Sequence, residues 1–202
     1  MIVSMVEQTI DVDVPLRNVY NQWTQFEDFP HFMEGVEDVR QIDDSHCHWS
    51  TKVGGVRREF DTEIIDQLPD ERIAWRTVGG DVKQKGVVTF QSLDPDHTRV
   101  RLAMDMDPQG MTEKAGDALG FLDRRVKGDL KRFKGFIEEH GHETGQWRGR
   151  IRPSDRTPPG GMTPDPLRDG GPMGGGTTGQ PGPRPAPDAW QLPPGPGDPG
   201  IR

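Results

Sequence analysis

The residues with the clearest potential for chemistry include a group of histidines in the first third of the chain. His46 and His48 flank Cys47, and on a strand their imidazoles would share one face. With His31 as a third ligand, they would form a set that zinc accepts. No CxxC or HExxH pattern accompanies them, and solvated hairpin histidines are the simpler interpretation. We therefore predict no metal site.

Arg58 is a candidate polar anchor in an otherwise apolar site. Strict alternation along a strand puts Arg58 on the same face as Phe60, where its guanidinium could hold the carbonyl or carboxylate of a ligand. The alternative is a surface arginine whose stem covers apolar neighbours. The chain shows no nucleophile elbow, phosphate-binding loop or dinucleotide fingerprint. The sequence therefore predicts no catalytic residue and no cofactor.

The composition divides the chain into a folded part and a tail. The segment after Ile151 holds 14 of the 19 prolines and 12 of the 26 glycines. Its few large apolar side chains cannot offset an ordering cost of about 1–2 kcal/mol per residue. We therefore predict one domain over residues 1–150 and a disordered tail over residues 151–202. Trp190, alone among prolines and glycines, could be a linear binding motif or part of a plain spacer.

Charge and cysteine content exclude several classes of protein. The tail carries five arginines and five aspartates, so the formal net charge of -8 belongs to the domain, and an acidic domain disfavours nonspecific binding of nucleic acid. A single cysteine excludes an internal disulfide framework. Neither a secretion signal nor an apolar run long enough to cross a bilayer is visible. A soluble cytoplasmic protein is predicted.

Hydrophobic periodicity predicts a first strand, short helices, six further strands and a long last helix. A short helix is predicted over residues 16–23, with Asp13 as its N-cap and Pro15 in its first turn, followed by an aromatic corner over residues 23–36. Period-two alternation separated by turns, one of them at residues 79–80, predicts antiparallel hairpins. The predicted strands cover residues 2–12, 36–42, 47–53, 58–68, 73–78, 86–93 and 98–106.

The last helix is predicted to run from Thr112 to about His140 and to end at Gly141. Its apolar residues form one narrow stripe, which consists of Ala115, Leu119, Leu122, Val126, Leu130, Phe133 and Ile137. A stripe about two side chains wide cannot fill the concave face of a strongly curved sheet. The sequence thus predicts an α+β fold in which a curved antiparallel sheet of six to seven strands wraps around this helix and leaves a cavity.

Several short motifs carry a family resemblance over roughly residues 3–140. They are Val14-Pro15 followed by Val19-Tyr20-Asn21-Gln22-Trp23, the corner Phe26-Glu27-Asp28-Phe29-Pro30-His31-Phe32-Met33, the strand Arg72-Ile73-Ala74-Trp75, and Gly128-Asp129-Leu130-Lys131-Arg132-Phe133-Lys134 in the last helix. With the order of elements, they resemble the START-like superfamily of helix-grip (SRPBCC) proteins, which includes polyketide cyclase/dehydrase and coenzyme Q-binding proteins. The resemblance implies a cavity for a lipid, quinone, polyketide or other apolar ligand between the sheet and the last helix.

Inward strand positions and the helix stripe predict which residues line this cavity. The predicted ligand-binding residues are Trp49, Arg58, Phe60, Ile64, Trp75, Val88, Phe90, Leu102, Met104, Met106, Leu119, Leu122 and Val126. Two of these methionines, with Met111, would give an adaptable apolar wall. A lid at the cavity mouth, or an insertion surface for membranes, is predicted from Phe26, Phe29, Phe32 and Met33. Plain core packing is the alternative for each of these residues.

Binding or carriage of a hydrophobic small molecule, without catalysis, is the predicted function. The alternatives are an aromatase-type polyketide cyclase/dehydrase that uses the same cavity, and an interaction protein that acts through the tail. Six basic residues are predicted to form the outer face of the last helix, which is either solvated or in weak contact with an anionic membrane. They are Arg124, Arg125, Lys127, Lys131, Arg132 and Lys134. The predicted partner is thus a hydrophobic small molecule and not a nucleic acid, and no feature indicates an oligomeric state.

Overall fold

The structure is a computed structural model that describes residues 4–106 and 115–153, with side chains described for residues 5–106 and 120–153. Two helices, α1 and α2, a short 3₁₀ helix and seven strands are present in these ranges. The helices are α1 (Leu16–Trp23), the 3₁₀ helix (Phe26–His31) and α2 (Ala115–His140). The strands are β1 (Ser4–Val12), β2 (Val36–Gln41), β3 (His46–Val53), β4 (Val56–Leu68), β5 (Arg72–Gly80), β6 (Gln84–Asp94) and β7 (His97–Met106).

All seven strands form one antiparallel sheet, in the order β1-β7-β6-β5-β4-β3-β2. Each strand from β2 to β6 pairs with the next strand in the chain through a short connection, while β1 pairs with β7 at the far edge. This curved sheet, with its long last helix and a few short helices, confirms the predicted α+β helix-grip fold.

Alternating burial along β7 shows how the sequence defines the two faces of the sheet. Val100 and Leu102 are buried, whereas Arg99 and Arg101 lie on the outer face and form ion pairs with carboxylates of the neighbouring strand β1. Apolar and charged side chains alternate because successive residues of a strand point to opposite faces. The inner face is therefore apolar and faces α2.

Two predicted details of the fold are wrong. Asp13 does not cap α1: the N-cap residue is Pro15, with no side-chain hydrogen bond, and the backbone N–H of Asp13 instead donates to Glu138 Oε1 of α2 at 2.7 Å. Residues 79–80 do not form a turn but belong to β5. A Cβ at Gly80 would lie 2.5 Å from the Cα of Phe60, so glycine is needed here because two strands approach closely.

Helix α2 ends where predicted, at Gly141, which has a positive φ of 66°. The following residues, which we call the C-terminal strap (residues 142–153), lie against α1 and β4. The backbone N–H of Trp147 donates to Thr24 Oγ1 at 2.9 Å, and Ile151 exchanges two backbone hydrogen bonds with Gln67. The strap therefore supplies partners for buried polar groups of α1 and β4. Residues 154–202, nearly all of the predicted tail, lie outside the described residues.

No helix in the described part of the chain combines the length and apolar character that crossing a bilayer requires.

Candidate functional site

A cavity of about 340 Å³ lies between the inner face of the sheet and α2. This volume is at the lower end of the range of roughly 300–1,000 Å³ for small-molecule sites. Its apolar lining comes from α1, the 3₁₀ helix and its surroundings, strands β2 to β7, and α2. The apolar lining residues are Trp23, Phe26, Phe29, Met33, Val36, Cys47, Trp49, Val53, Phe60, Ile64, Ile73, Trp75, Val82, Val88, Leu102, Met104, Met106, Leu122 and Val126.

One wall of the cavity is built from stacked aromatic rings. Trp49 of β3 and Phe60 of β4 are cross-strand partners, and their rings lie parallel with centroids 6.1 Å apart. Phe29 meets Trp49 edge-on at 5.6 Å. The Trp49 indole Nε1 donates to Thr62 Oγ1 at 2.8 Å. Because that donor is satisfied within the sheet, the wall offers the guest mainly apolar ring surface.

Trp75 can lie over β6 because its cross-strand partner is a glycine. Gly86 faces Trp75 in the register of β5 and β6, and a Cβ at position 86 would lie 2.5 Å from the indole ring. A side chain there would push the indole away, so Gly86 allows a large ring to lie flat against the sheet and contribute to the lining.

Polar lining residues also contribute to the cavity, and several of them carry charge. The polar and glycine lining residues are Thr51, Arg58, Thr62, Gly80, Asp81, Lys83, Gln84, Arg125 and Asp129. Among all the lining residues that the structure describes, the exposed ones are Gly80, Asp81 and Lys83. The cavity therefore meets solvent at the connection between β5 and β6.

Asp129 is a buried residue of α2 whose side chain is 11% exposed. It accepts a hydrogen bond from the backbone N–H of Glu34 at 2.9 Å and a short one from the Arg132 guanidinium. Burial raises the pKa of Asp129 above its ordinary value, and the two hydrogen bonds and the charges of Arg132 and Arg125 oppose that rise. The site thus holds one carboxyl group whose ionisation is disfavoured by its surroundings.

Arg125 corrects the prediction that all the basic residues of α2 share an outer face. Arg125 lines the cavity and donates to the backbone carbonyl of Glu34, while Arg132 donates to the carbonyl of Phe32 at 3.1 Å. Lys134 donates to the carbonyl of Asp11 at 2.8 Å. These three cations hold α2 to the corner and to β1, although Arg132 is exposed, as are Arg124, Lys127 and Lys131.

Cys47 lines the cavity but is not equipped as a nucleophile. Its side chain is 1% exposed, and burial, followed by the nearby charges of Asp43 and Glu27, raises the pKa of the thiol to about 12. The thiolate, which is the reactive form, is therefore scarce at neutral pH. Cys47 acts as a small apolar wall residue.

The structure brings together most of the residues that sequence patterns predicted for the lining. Two do not line the cavity: Phe90 packs edge-on against Tyr20 at 5.6 Å, and Phe32 packs against Phe133 at 5.2 Å. The side chain of Leu119 and all of Met111 lie outside the described residues. The predicted residues that do line it are Trp49, Arg58, Phe60, Ile64, Trp75, Val88, Leu102, Met104, Met106, Leu122, Val126, Phe26, Phe29 and Met33. Ligand contact by any of them stays a prediction.

The aromatic corner is buried. Phe26, Phe29 and Phe32 are 8%, 3% and 1% exposed, because they pack on one another and on α2. Their role as a lid stays a prediction.

Several lining residues were missed although the sequence carried a signal for some of them. Cys47, Thr51 and Val53 alternate with the same parity as Trp49 on β3, so strict alternation would have found them. Asp129 lies seven residues after Leu122 on α2 and therefore borders the apolar stripe. The lining residues of the β5–β6 connection carry no periodic signal.

The histidines considered for zinc have other partners. Nδ1 of His46 lies 3.0 Å from the Asp43 carboxylate, and Nδ1 of His48 lies 2.7 Å from Asp61 Oδ1. His31 stacks on Phe136 with ring centroids 6.1 Å apart. Over the described ranges, no group of three or more His, Cys, Asp or Glu side chains is placed to hold a metal ion.

Comparison with known proteins identifies relatives of this arrangement. Residues 12–134 match the family model described as polyketide cyclase/dehydrase and lipid transport. An uncharacterized 17.2 kDa protein of Streptomyces lincolnensis is 60% identical over 148 residues, which are 73% of this chain and 99% of the relative.

Two solved structures show the same fold at low sequence identity. A START superfamily protein from Mycobacterium smegmatis has a TM-score of 0.59 at 18% identity, covering 67% of this chain and 98% of its own. The Zhui aromatase/cyclase from Streptomyces sp. R1128 has a TM-score of 0.58 at 18% identity, covering 72% of this chain and 100% of its own.

Proposed function

Since the chain belongs to the polyketide cyclase/dehydrase and lipid transport family, we propose that it binds a hydrophobic small molecule in its cavity and carries or sequesters it without transforming it. The observation that carries the proposal is the apolar cavity of about 340 Å³ under α2. Apolar surface that a guest covers is worth roughly 25 cal/mol per Å², so an apolar molecule that fills this space gains affinity from shape alone.

The lining supports binding without chemistry in two ways. The aromatic wall of Trp49 and Phe60 keeps its polar N–H inside the sheet, and the Cys47 thiol is protonated at neutral pH. A guest in the interior therefore meets flat rings, aliphatic side chains and thioethers, which suit an apolar ligand of adaptable shape.

Native mass spectrometry of the purified full chain, followed by organic extraction, tests the proposal directly. A bound molecule that survives gentle ionisation and is released by extraction is the expected result. The companion measurement is a titration with the neutral fluorescent probe Nile red, which should bind with enhanced emission. The absence of both a copurified molecule and Nile red binding would overturn the proposal.

A pair of neighbouring substitutions on α2 locates the binding. Leu122→Trp places an indole in the cavity and should weaken Nile red binding at least about tenfold, because the guest loses volume. Phe121→Trp is the matched control, since Phe121 is 45% exposed and does not line the cavity. Cooperative thermal unfolding of both variants verifies that they are folded. Equal affinity of the two variants would place Nile red elsewhere on the protein.

A second candidate function is an aromatase-type cyclase/dehydrase. It is favoured by the ionisable groups that line the same cavity, of which Asp129 is buried with a raised pKa and Arg58 is half-buried. A preorganised cavity could fold a poly-β-keto chain while polar side chains assist proton transfer and water loss. Incubation with a thioester-linked β-keto chain tests this function: loss of one water molecule per guest, abolished in Asp129→Asn, would favour the enzyme over the carrier.

A further inference from the structure

The charged residues of the cavity lining meet at one end of it, around the start of β4. Arg58 pairs with Thr51 across β3 and β4, and the backbone N–H of Asp81 donates to the carbonyl of Glu59 at 2.9 Å. The start of β4 thus lies between the end of β3 and the β5–β6 connection, which carries Lys83.

Helix α2 reaches the same end of the cavity. The backbone N–H of Lys52, next to Thr51, donates to the carbonyl of Gly35 at 2.7 Å, and the Arg125 guanidinium donates to the neighbouring carbonyl of Glu34. A Cβ at Gly35 would lie 2.6 Å from an Arg125 nitrogen. Three cationic residues, Arg58, Lys83 and Arg125, thus line the cavity from β4, the β5–β6 connection and α2, and these hydrogen bonds link the three segments.

The two carboxylates of the lining already have partners in the protein. Asp81 accepts a hydrogen bond from the backbone N–H of Glu59 at 3.3 Å. Asp129 accepts from Glu34 and is paired with Arg132, which does not itself line the cavity. The charge of Asp129 is thus offset in part by a residue outside the lining, and among the lining residues three cations stand against two carboxylates.

Lys83 is the cation best placed to receive a guest. Its side chain is exposed at the opening, and it makes no hydrogen bond or ion pair with any residue in the described part of the chain. Lys85, two residues further along, pairs with Asp105 at 3.5 Å. An ammonium group that lines an apolar cavity and has no partner among the described residues presents its donors to whatever occupies the opening.

We propose that the ligand is an amphiphile with an acidic head: an apolar chain or ring system lies in the cavity, and its carboxylate lies at the opening between Lys83 and Arg125. This inference rests on the proposed function and names the class of ligand for it. A carboxylate held there keeps part of its hydration and gains charge-assisted hydrogen bonds. The cavity volume of about 340 Å³ favours a medium-chain or aryl-substituted acid over a long lipid.

Calorimetric titration of the full chain with decanoate and with decan-1-ol at neutral pH tests the head group, because the two probes share their chain and differ in charge. Decanoate should bind at least about fivefold more tightly than decan-1-ol. In Lys83→Gln this preference should fall to about twofold or less. The affinity for decan-1-ol should stay unchanged.

Lys52→Gln is the matched control, because Lys52 is exposed near the same end, does not line the cavity, and loses the same unit of charge. It should keep the full preference for decanoate. An equal loss in both variants would show a long-range effect of net charge and overturn the inference.

Failure of the inference and failure of the proposed function give different results. If the wild-type protein binds decanoate and decan-1-ol equally, the acidic head is wrong while the hydrophobic carrier stands. If neither probe nor Nile red binds, the proposed function itself fails. A charge reversal sharpens the positive outcome: Lys83→Glu should prefer decylamine over decanoate, and retention of the original preference would contradict the role of Lys83.

Discussion

The two halves of α2 share one apolar stripe but differ in what lies beneath it. In the packed half, Leu130 to Ile137, Phe133 is fully buried and contacts Trp23 and Phe32 with ring centroids 5.3 and 5.2 Å away. In the hollow half, residues 120–129, Leu122 and Val126 line the cavity. The difference lies in the partners: the corner and α1 bring aromatic rings into contact with one half, whereas the other half faces the aromatic wall of the sheet across the cavity.

The comparison of the two halves indicates that the cavity stays open because a well-packed region lies beside it. Close packing of aromatic rings holds α2 at a fixed distance from the sheet, so the hollow half cannot collapse onto the strands. The carbonyl contacts of Arg125 and Arg132 and the ion pair of Arg132 with Glu34 tie the same helix to the corner. Stability and the proposed binding site therefore depend on neighbouring parts of one helix.

The largest expected effect comes from truncating the packed half. Phe133→Ala should lower the free energy of unfolding by about 3–5 kcal/mol, because it removes a fully buried ring and leaves a void. Leu122→Ala in the hollow half should cost about 2 kcal/mol, near the lower limit for this change, because cavity-facing atoms have fewer neighbours to lose. Urea denaturation measures both. Equal losses would remove the distinction between the two halves.

The C-terminal strap should contribute to the packed side. Arg148 donates to Asn21 Oδ1 at 2.8 Å and to the Asp70 carboxylate, and its guanidinium lies 5.5 Å from the centre of the Tyr20 ring. Arg148→Ala should therefore lower the free energy of unfolding by about 1–2 kcal/mol. The comparison is Arg76→Ala, which breaks an ion pair on the sheet surface and should cost less than about 1 kcal/mol.

If chemical denaturation shows that Arg148→Ala is no more costly than Arg76→Ala, the strap is not a stabilising part of the domain.

The hollow half should respond to added volume in binding more than in stability. Gly86→Ala would push the Trp75 indole into the cavity, so Nile red affinity should fall several-fold while the free energy of unfolding falls by about 1 kcal/mol. Gly120→Ala on α2, where a Cβ would meet nothing within 4 Å, should instead stabilise the protein by about 0.5–1 kcal/mol. Unchanged Nile red affinity in Gly86→Ala would show that Trp75 does not shape the site.

The smallest effect is the pH dependence of Asp129, which lies at the boundary between the two halves. Burial raises its pKa in the folded protein above the ordinary value of 3.8, so the folded state binds more protons there than the unfolded state. The stability contribution of Asp129 is then full below about pH 3.8 and is lost as pH rises through the higher folded pKa.

Denaturant unfolding of the wild type and of Asp129→Asn, compared at several values between about pH 3 and about pH 6, measures this contribution. The stability of the variant relative to the wild type should increase with pH. A difference that decreases with pH would mean that the Arg132 pair outweighs burial.

Local patterns were enough to predict most of the fold. Alternation along β7 and the stripe on α2 indicated the buried faces correctly because each depends only on the period of its own element. The N-cap at Asp13 was wrong because α1 begins after Pro15 and the Asp13 carboxylate instead lies 3.6 Å from Lys134 Nζ, a tertiary partner 121 residues away. The turn at residues 79–80 was wrong because Gly80 is needed for the close approach of β5 to Phe60. The sequence alone does not distinguish such a glycine from one that forms a turn.

The site was predictable in part, for the same reason. Trp49, Phe60 and Trp75 were found from strand parity, since inward residues of a curved sheet face the enclosed space. Lys83 and Arg125 could not be found this way, because the first lies in a connection without period and the second flanks its stripe. Their place at the cavity depends on how β4, the corner and α2 meet.

The sequence by itself determined the order of the elements, the apolar face of each and the separation of a Pro/Gly-rich segment, because these follow from the composition and period of neighbouring residues. Tertiary structure alone decided that a space of about 340 Å³ stays open, that it meets solvent beside Lys83, and that Asp129 is buried. The physical reason is that a cavity is the volume left between elements, and this volume depends on how side chains from distant segments pack against one another.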